Sequence, residues 1–203
     1  MQTEMQFEGS TSKHTRKAKK QACGTVLQNI HASIPVEKRF TTVSIDPPWS
    51  YYDKGVRGSA EKHYKTLTVE AIAALPIPDL VQPKGAHLYL WATEAFYFQA
   101  RLLIEFWGFR HKSTVIWNKE GNLGMGRTFR LGHEYLLFAV KGKQPFRNHS
   151  QSSVVSAQRT GRHSEKPAIF RTIIEKCSSP LFLELFARKR VPGWTVWGDD
   201  IEL

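Results

Sequence analysis

At 203 residues the chain has room for one ordinary domain with a substantial core. Its 41% hydrophobic and 12% aromatic content excludes a wholly disordered polymer, and no apolar run approaches the roughly 20 residues of a membrane span. The net charge of +11 points instead to a polyanionic partner, because cations that replace counterions on a phosphate backbone gain affinity.

Residues 1–22 are polar and without periodicity, and read as a flexible basic arm ahead of one domain over 23–203. The arm carries Lys13, Arg16, Lys17, Lys19 and Lys20 against Glu4 and Glu8, so most of the excess charge belongs to the body. It has no apolar segment resembling a targeting signal. Cys23 and Cys177 form neither a disulfide framework nor a metal pair, and the eight histidines show no ligand spacing. A cytoplasmic, reducing compartment and a site without metal are the expectations.

The β-branched run Thr41–Ile45 predicts a strand that stops at Asp46 and two prolines, a rigid loop. Residues 50–66 read as a loop. Thr68 is placed to cap a short helix through Leu75, ended by Pro76 and Pro78. His87–Trp91 is a second strand. Thr93 then opens a helix with Ala95, Phe98, Leu102 and Phe106 as its apolar face, closed by Gly108. Ser113–Trp117 and Tyr135–Val140 are further strands, separated by a loop over 118–132.

Residues 144–163 read as another polar loop. Pro167 starts a helix with Ile169, Phe170, Ile173, Ile174 and Cys177 on one face. Leu181–Phe186 and Trp194–Trp197 complete the strands, with the two tryptophans assigned to the core. Strands alternating with helices predict an α/β fold: a mainly parallel sheet with helices on both faces, and ligands beyond the carboxyl ends of the strands.

The chemistry concentrates at Asp46-Pro47-Pro48-Trp49, directly after the first strand. An exocyclic amine conjugated with a purine ring is a poor nucleophile until its nitrogen is rehybridised. Acceptors for the amine protons drive that change: a carboxylate at Asp46, and at Pro47 a carbonyl whose direction is fixed by the proline ring. Trp49 offers a flat face for an extruded base. A cationic methyl donor is also attracted to an acidic, aromatic site.

With DPPW at 46–49, HY at 63–64, LYLW at 88–91, WGF at 107–109, HE at 133–134, HSEKP at 163–167 and LELFAR with WGDD at 183–200, the chain resembles the DPPW-type adenine-N6 methyltransferases. These are relatives of the catalytic subunit of the eukaryotic mRNA adenosine methyltransferase, with bacterial and phage DNA-modifying members. The resemblance covers about residues 25–203. It implies a Rossmann-like fold using S-adenosylmethionine, with the catalytic motif preceding the cofactor strand.

By resemblance, Tyr64 borders the target adenosine, Glu134 approaches the nucleoside, and Lys166 lies near the donor carboxylate and the target. Asp46 also faces the donor. Glu184 and Arg188 contact its ribose, Asp199 and Asp200 its adenine end, and Gln28 and Asn29 match a further donor-contacting segment. Arg127, Arg130, Arg159 and Arg162, interleaved with Phe129 and His163, lie in loops flanking the expected pocket mouth and are candidate phosphate contacts.

The glycine-rich cofactor loop common in methyltransferases is absent, with Ala187 at a tight position. The zinc-finger module of the eukaryotic relatives is also missing, which favours DNA of a bacterial or phage system over RNA. No separate target-recognition domain is evident. Selectivity would then come from a short or relaxed site, or from a partner subunit; a homodimer is a further candidate assembly. The alternatives are the same reaction on RNA, or a catalytically silent nucleic-acid-binding scaffold, which would have no need of the Asp46 carboxylate.

Overall fold

The computed structural model describes residues 34, 39–50, 66–121, 123, 128–159 and 165–198. The expected arm at 1–22, the loop at 51–65, and Gln28, Asn29, Tyr64, Arg127, Arg162, Asp199 and Asp200 lie outside the described residues.

The described strands form one seven-stranded sheet: β1 (Thr42–Ile45), β2 (Gly85–Ala92), β3 (Arg110–Asn118), β4 (His133–Gly142), β5 (Val154–Ser156), β6 (Phe182–Leu185) and β7 (Trp194–Trp197). Their spatial order is β5-β3-β4-β2-β1-β6-β7. Only β4 runs against the rest, pairing antiparallel with β2 and β3, while the other four pairings are parallel. The sheet is therefore a mainly parallel, Rossmann-like one. From β1 the chain moves one way to β2 and later returns on the other side as β6, which makes the β1–β6 boundary a topological switch point.

Helices cover both faces, and strand alternation decides what each face receives. Val43 and Ile45 of β1 and Leu88 and Leu90 of β2 pack with Ile72, Ala100, Leu103 and Ile104 under α1 (Val69–Ala73), α2 (Ile77–Leu80) and α3 (Tyr97–Phe106). The intervening residues, among them Tyr89 and Trp91, join Trp117, Leu136 and Phe138 beneath Phe170 and Ile174 of α4 (Ala168–Cys177). Burying each large side chain of α4 contributes about 1.5–3 kcal/mol, which anchors the start of this helix above the end of β1.

Several expectations change in detail. The Thr68 hydroxyl does accept from the Ala71 amide and caps α1. Pro76 and Pro78, expected only to stop that helix, instead head α2, where a missing amide hydrogen costs nothing. The loop expected at 144–163 contains β5, which pairs parallel with the end of β3. Ile169 is exposed, although Phe170, Ile173, Ile174 and Cys177 are buried as expected.

The apolar face of α3 is also a correction. Ala95, Phe98, Leu102 and Phe106 point outward, with Phe98 76% and Phe106 62% exposed. Ala100, Leu103, Ile104 and Trp107 are buried in their place. The helix carries two apolar stripes, and the 3-10 turn Glu94–Phe96 that precedes it buries Phe96 and sets its phase. The stripe containing Ala100 lets the helix approach the sheet closely.

Candidate active site

Period-2 alternation carries Ser44 and then Asp46 to the α4 side of β1, and likewise Trp91 of β2 and Glu184 of β6. These residues line a cleft at the carboxyl ends of β1 and β6, closed by Glu165, Lys166, Pro167, Phe170 and Arg171 from the start of α4. Arg188, Lys189 and Trp194 complete its far wall.

The proline loop is pinned from both sides. The Trp49 amide donates to the Pro47 carbonyl at 2.9 Å, the Leu67 amide to the Pro48 carbonyl at 2.7 Å, and the Ser50 amide to the Leu67 carbonyl at 3.0 Å. A carbonyl oxygen has two lone pairs, so that of Pro47 retains capacity for another donor.

Trp49 is not the open platform that its sequence position suggests. It is only 6% exposed; its ring stacks on Phe96 at 4.8 Å, and its indole N–H donates to the Trp91 carbonyl at 3.2 Å. Its described role is to wedge the proline loop against the α3 side of the sheet.

Four alternating charges form the centre of the site. Lys166 Nζ lies 2.8 Å from Asp46 Oδ2 and 3.3 Å from Glu134 Oε2, and Lys119 Nζ lies 2.6 Å from Glu134 Oε1. Burial pushes the Asp46 carboxyl above the ordinary carboxylate range, against the opposing pull of Lys166. Burial acts the same way on Glu134, but Lys166 and Lys119 outweigh it and hold that carboxyl low. For Lys166, the two carboxylates overcome the burial that would favour the neutral amine, and the ammonium is held above its ordinary value. The ammonium also sits 5.2 Å from the centre of the Trp91 ring.

The structure thus unites Asp46, Pro47, Glu134 and Lys166 at one place, with Glu184 and Arg188 in the adjoining cleft. The partner of Glu184 is Arg171, at 2.7 Å from one guanidinium nitrogen and 3.2 Å from another. Arg130, next to the 88% exposed Phe129, and Arg159 are exposed and stand outside this lining. Ala187 is as tight as expected: its amide donates to the Trp197 carbonyl, and a Cβ on Gly198 would come within 2.2 Å of its carbonyl oxygen.

Lys119 and Arg171 were missed by sequence reasoning. The Trp117↔Glu134 pairing brings Lys119 beside Glu134, a signal readable only once β3 and β4 are joined as an antiparallel pair. Arg171 lies one helical turn after Pro167, on the face that looks into the cleft.

A rigid, carboxylate-bearing loop beside a cleft at the switch point of a Rossmann-like sheet is an arrangement that suits an α/β methyltransferase. The MT-A70 family profile matches residues 40–200, and the chain belongs to that family. It is 29% identical to the type II methyltransferase M.MunI of Mycoplasma sp, over 93% of this chain and 88% of that protein. It is also 29% identical to the human N(6)-adenosine-methyltransferase catalytic subunit METTL3, over 85% of this chain but only 30% of the relative. The N6-methyladenosine RNA methyltransferase MTA1 of Pyricularia oryzae is 28% identical over 88% of this chain and 51% of its own length.

Proposed function

We propose that this protein transfers a methyl group from S-adenosylmethionine to the N6 amine of adenine in DNA. The observation that carries the reading is the Asp46 carboxylate at the cleft, with Oδ2 held by Lys166 and Oδ1 in no ion pair among the described residues. The Pro47 carbonyl, oriented by a fixed φ and the Trp49 amide, is a second acceptor at the same loop. Together they draw on the amine protons, and electron density returns from the ring to the nitrogen.

The lining suits the donor chemically. Glu184 offers a carboxylate to hydroxyl groups, Lys166 and Arg188 offer cations to a carboxylate, and Asp46 and Trp91 favour a positive centre. When bound, S-adenosylmethionine supplies an electrophilic methyl on a sulfonium. Glu134, tied by two lysines, sets the position of Lys166 and stands on the nucleoside side of the loop. Tyr64, Arg127 and Arg162 are assigned to the target strand, and Gln28, Asn29, Asp199 and Asp200 to the donor. Arg130 and Arg159 extend the basic margin available to phosphates.

DNA is favoured because the match to the type II methyltransferase runs nearly end to end, whereas the adenosine methyltransferase subunit is matched over less than a third of its length. The equal identity to that subunit keeps RNA as the second reading. The protein is assigned to the cytoplasm, and among the described residues no helix is long and apolar enough to cross a membrane.

Incubation with methyl-labelled S-adenosylmethionine and adenine-containing DNA or RNA oligonucleotides tests the reading. Label enters DNA on the adenine N6, and Asp46→Ala abolishes transfer while the thermal unfolding transition remains. Label on RNA alone would replace the substrate. Label on neither, or full activity of the variant, would remove the mechanism.

A further inference from the structure

A second groove lies at the opposite end of the sheet. Arg110, Lys112 and Ser113 of β3, Phe138 and Val140 of β4, and the segment from Gly142 to His149 enclose about 420 Å³ there. Its walls carry Arg110, Lys112 and Lys143, with the His149 ring beside them and no acid, and none of the ion pairs among the described residues involves these three cations. Such a lining is unfavourable for a closed core and favourable for an anion.

The fold builds this concentration of charge. Arg110 pairs with Val140 and Ser113 with Phe138, so Lys112 is an extra residue in a β-bulge between them. The bulge keeps Val115 and Trp117 directed beneath α4 while adding one more cation to the groove. At the other wall Gly142 adopts a left-handed turn (φ +61), and the Lys143 amide is fixed to the Lys84 carbonyl at 3.0 Å.

The floor is equally ordered. Phe146 packs on Phe138 at 5.3 Å and on His149 at 5.4 Å. Beneath them His87 Nε2 donates to the Gln144 carbonyl at 3.2 Å. Its other nitrogen then accepts from the Ser178 hydroxyl at 2.7 Å, which in turn accepts from the Tyr89 hydroxyl at 2.8 Å. The Arg147 amide donates to the carbonyl of Cys177 at the end of α4, tying the loop down. The groove is therefore a preformed site of cations around an aromatic floor.

Glu134, Leu136, Phe138 and Val140 alternate onto one face of β4, so the catalytic cluster and the groove share that face at opposite ends of one strand. The eight steps from Glu134 to Gly142 span about 27 Å at ~3.4 Å each. That corresponds to roughly eight base steps of a duplex. We propose that the groove binds the phosphodiester backbone of the polynucleotide substrate, about four to eight nucleotides from the target base. It contributes affinity without sequence preference. This deepens the nucleic-acid reading above and rests on it.

The test compares the protein with an Arg110→Ala/Lys112→Ala/Lys143→Ala variant on adenine-containing duplexes of about 10 and about 30 base pairs, the target central, across a salt series. Matching RNA oligonucleotides form a parallel arm that identifies the source of the phosphodiester. The expected result is a tenfold or greater loss of affinity for the long ligand. Its log–log salt slope should become shallower by about two to three, near 0.9 for each phosphate no longer neutralised. Binding and methylation of the short ligand, which reaches only the near edge of the groove, should be much less affected. Equal loss on both lengths, or no loss on the long one, overturns the groove. Failure of the unaltered protein to methylate either length would count against the proposed reaction instead, and the binding comparison would still decide the groove.

Discussion

Replacing Lys166 by methionine probes the charge chain most directly. Asp46 Oδ2 and Glu134 Oε2 both lie within reach of one ammonium nitrogen, so they are no more than about 6 Å apart. At that separation and an effective dielectric of about 20, two carboxylates repel by about 3 kcal/mol. The repulsion is not shared evenly. Lys119 remains 2.6 Å from Glu134 and keeps it ionised, so Asp46, already held up by burial, takes the proton. The acid limb of kcat then moves to higher pH in Lys166→Met, while Lys166→Arg keeps it nearly in place. The assay is a pH profile of methyl transfer at saturating donor and nucleic acid, which separates this effect from weakened donor binding. Stability provides a second readout. Glu134, with a depressed folded value, contributes stability present above its unfolded value and lost as pH falls through the folded one. Loss of one of its two cations shrinks that contribution. An acid limb of Lys166→Met superimposed on that of the unaltered protein would refute the electrostatic reasoning.

Glu184→Gln should weaken donor binding by about 10- to 100-fold, because a charge-assisted hydrogen bond contributes ~1.5–3 kcal/mol. Calorimetric titration without nucleic acid measures this, and unchanged affinity would remove Glu184 from the donor site. Gly198→Ala should destabilise the protein by about 1–3 kcal/mol, since its Cβ would stand 2.2 Å from the backbone oxygen of Ala187. An unchanged denaturant midpoint would contradict this. Trp49→Ala should cost ~3–5 kcal/mol through loss of a buried, stacked ring, so its unfolding midpoint falls along with activity. If Trp49 instead served only as an open base platform, activity would fall while the midpoint held.

Much of the fold was legible in the chain because local patterns sufficed. The β-branched run before Asp46, the Thr68 cap, and the apolar spacing of Phe170, Ile173, Ile174 and Cys177 each describe a feature formed by near neighbours. The tetrad at 46–49, with Glu134 and Lys166, also identified the chemistry that the cleft supports.

Tertiary structure decided what neighbours could not. Two stripes of α3 were both apolar, and packing against the sheet selected Ala100, Leu103, Ile104 and Trp107, leaving Phe98 and Phe106 outside. Trp49 became a buried wedge because Phe96, distant in sequence, supplies the opposing ring. Lys119 reached Glu134 through antiparallel pairing of β3 with β4, and Arg171 met Glu184 across the gap between a helix and a strand. Sequence determined which groups were available and how each segment alternates. The charge chain and the second groove required separated segments to be brought within a few ångströms, where desolvation and Coulomb attraction set their ionisation.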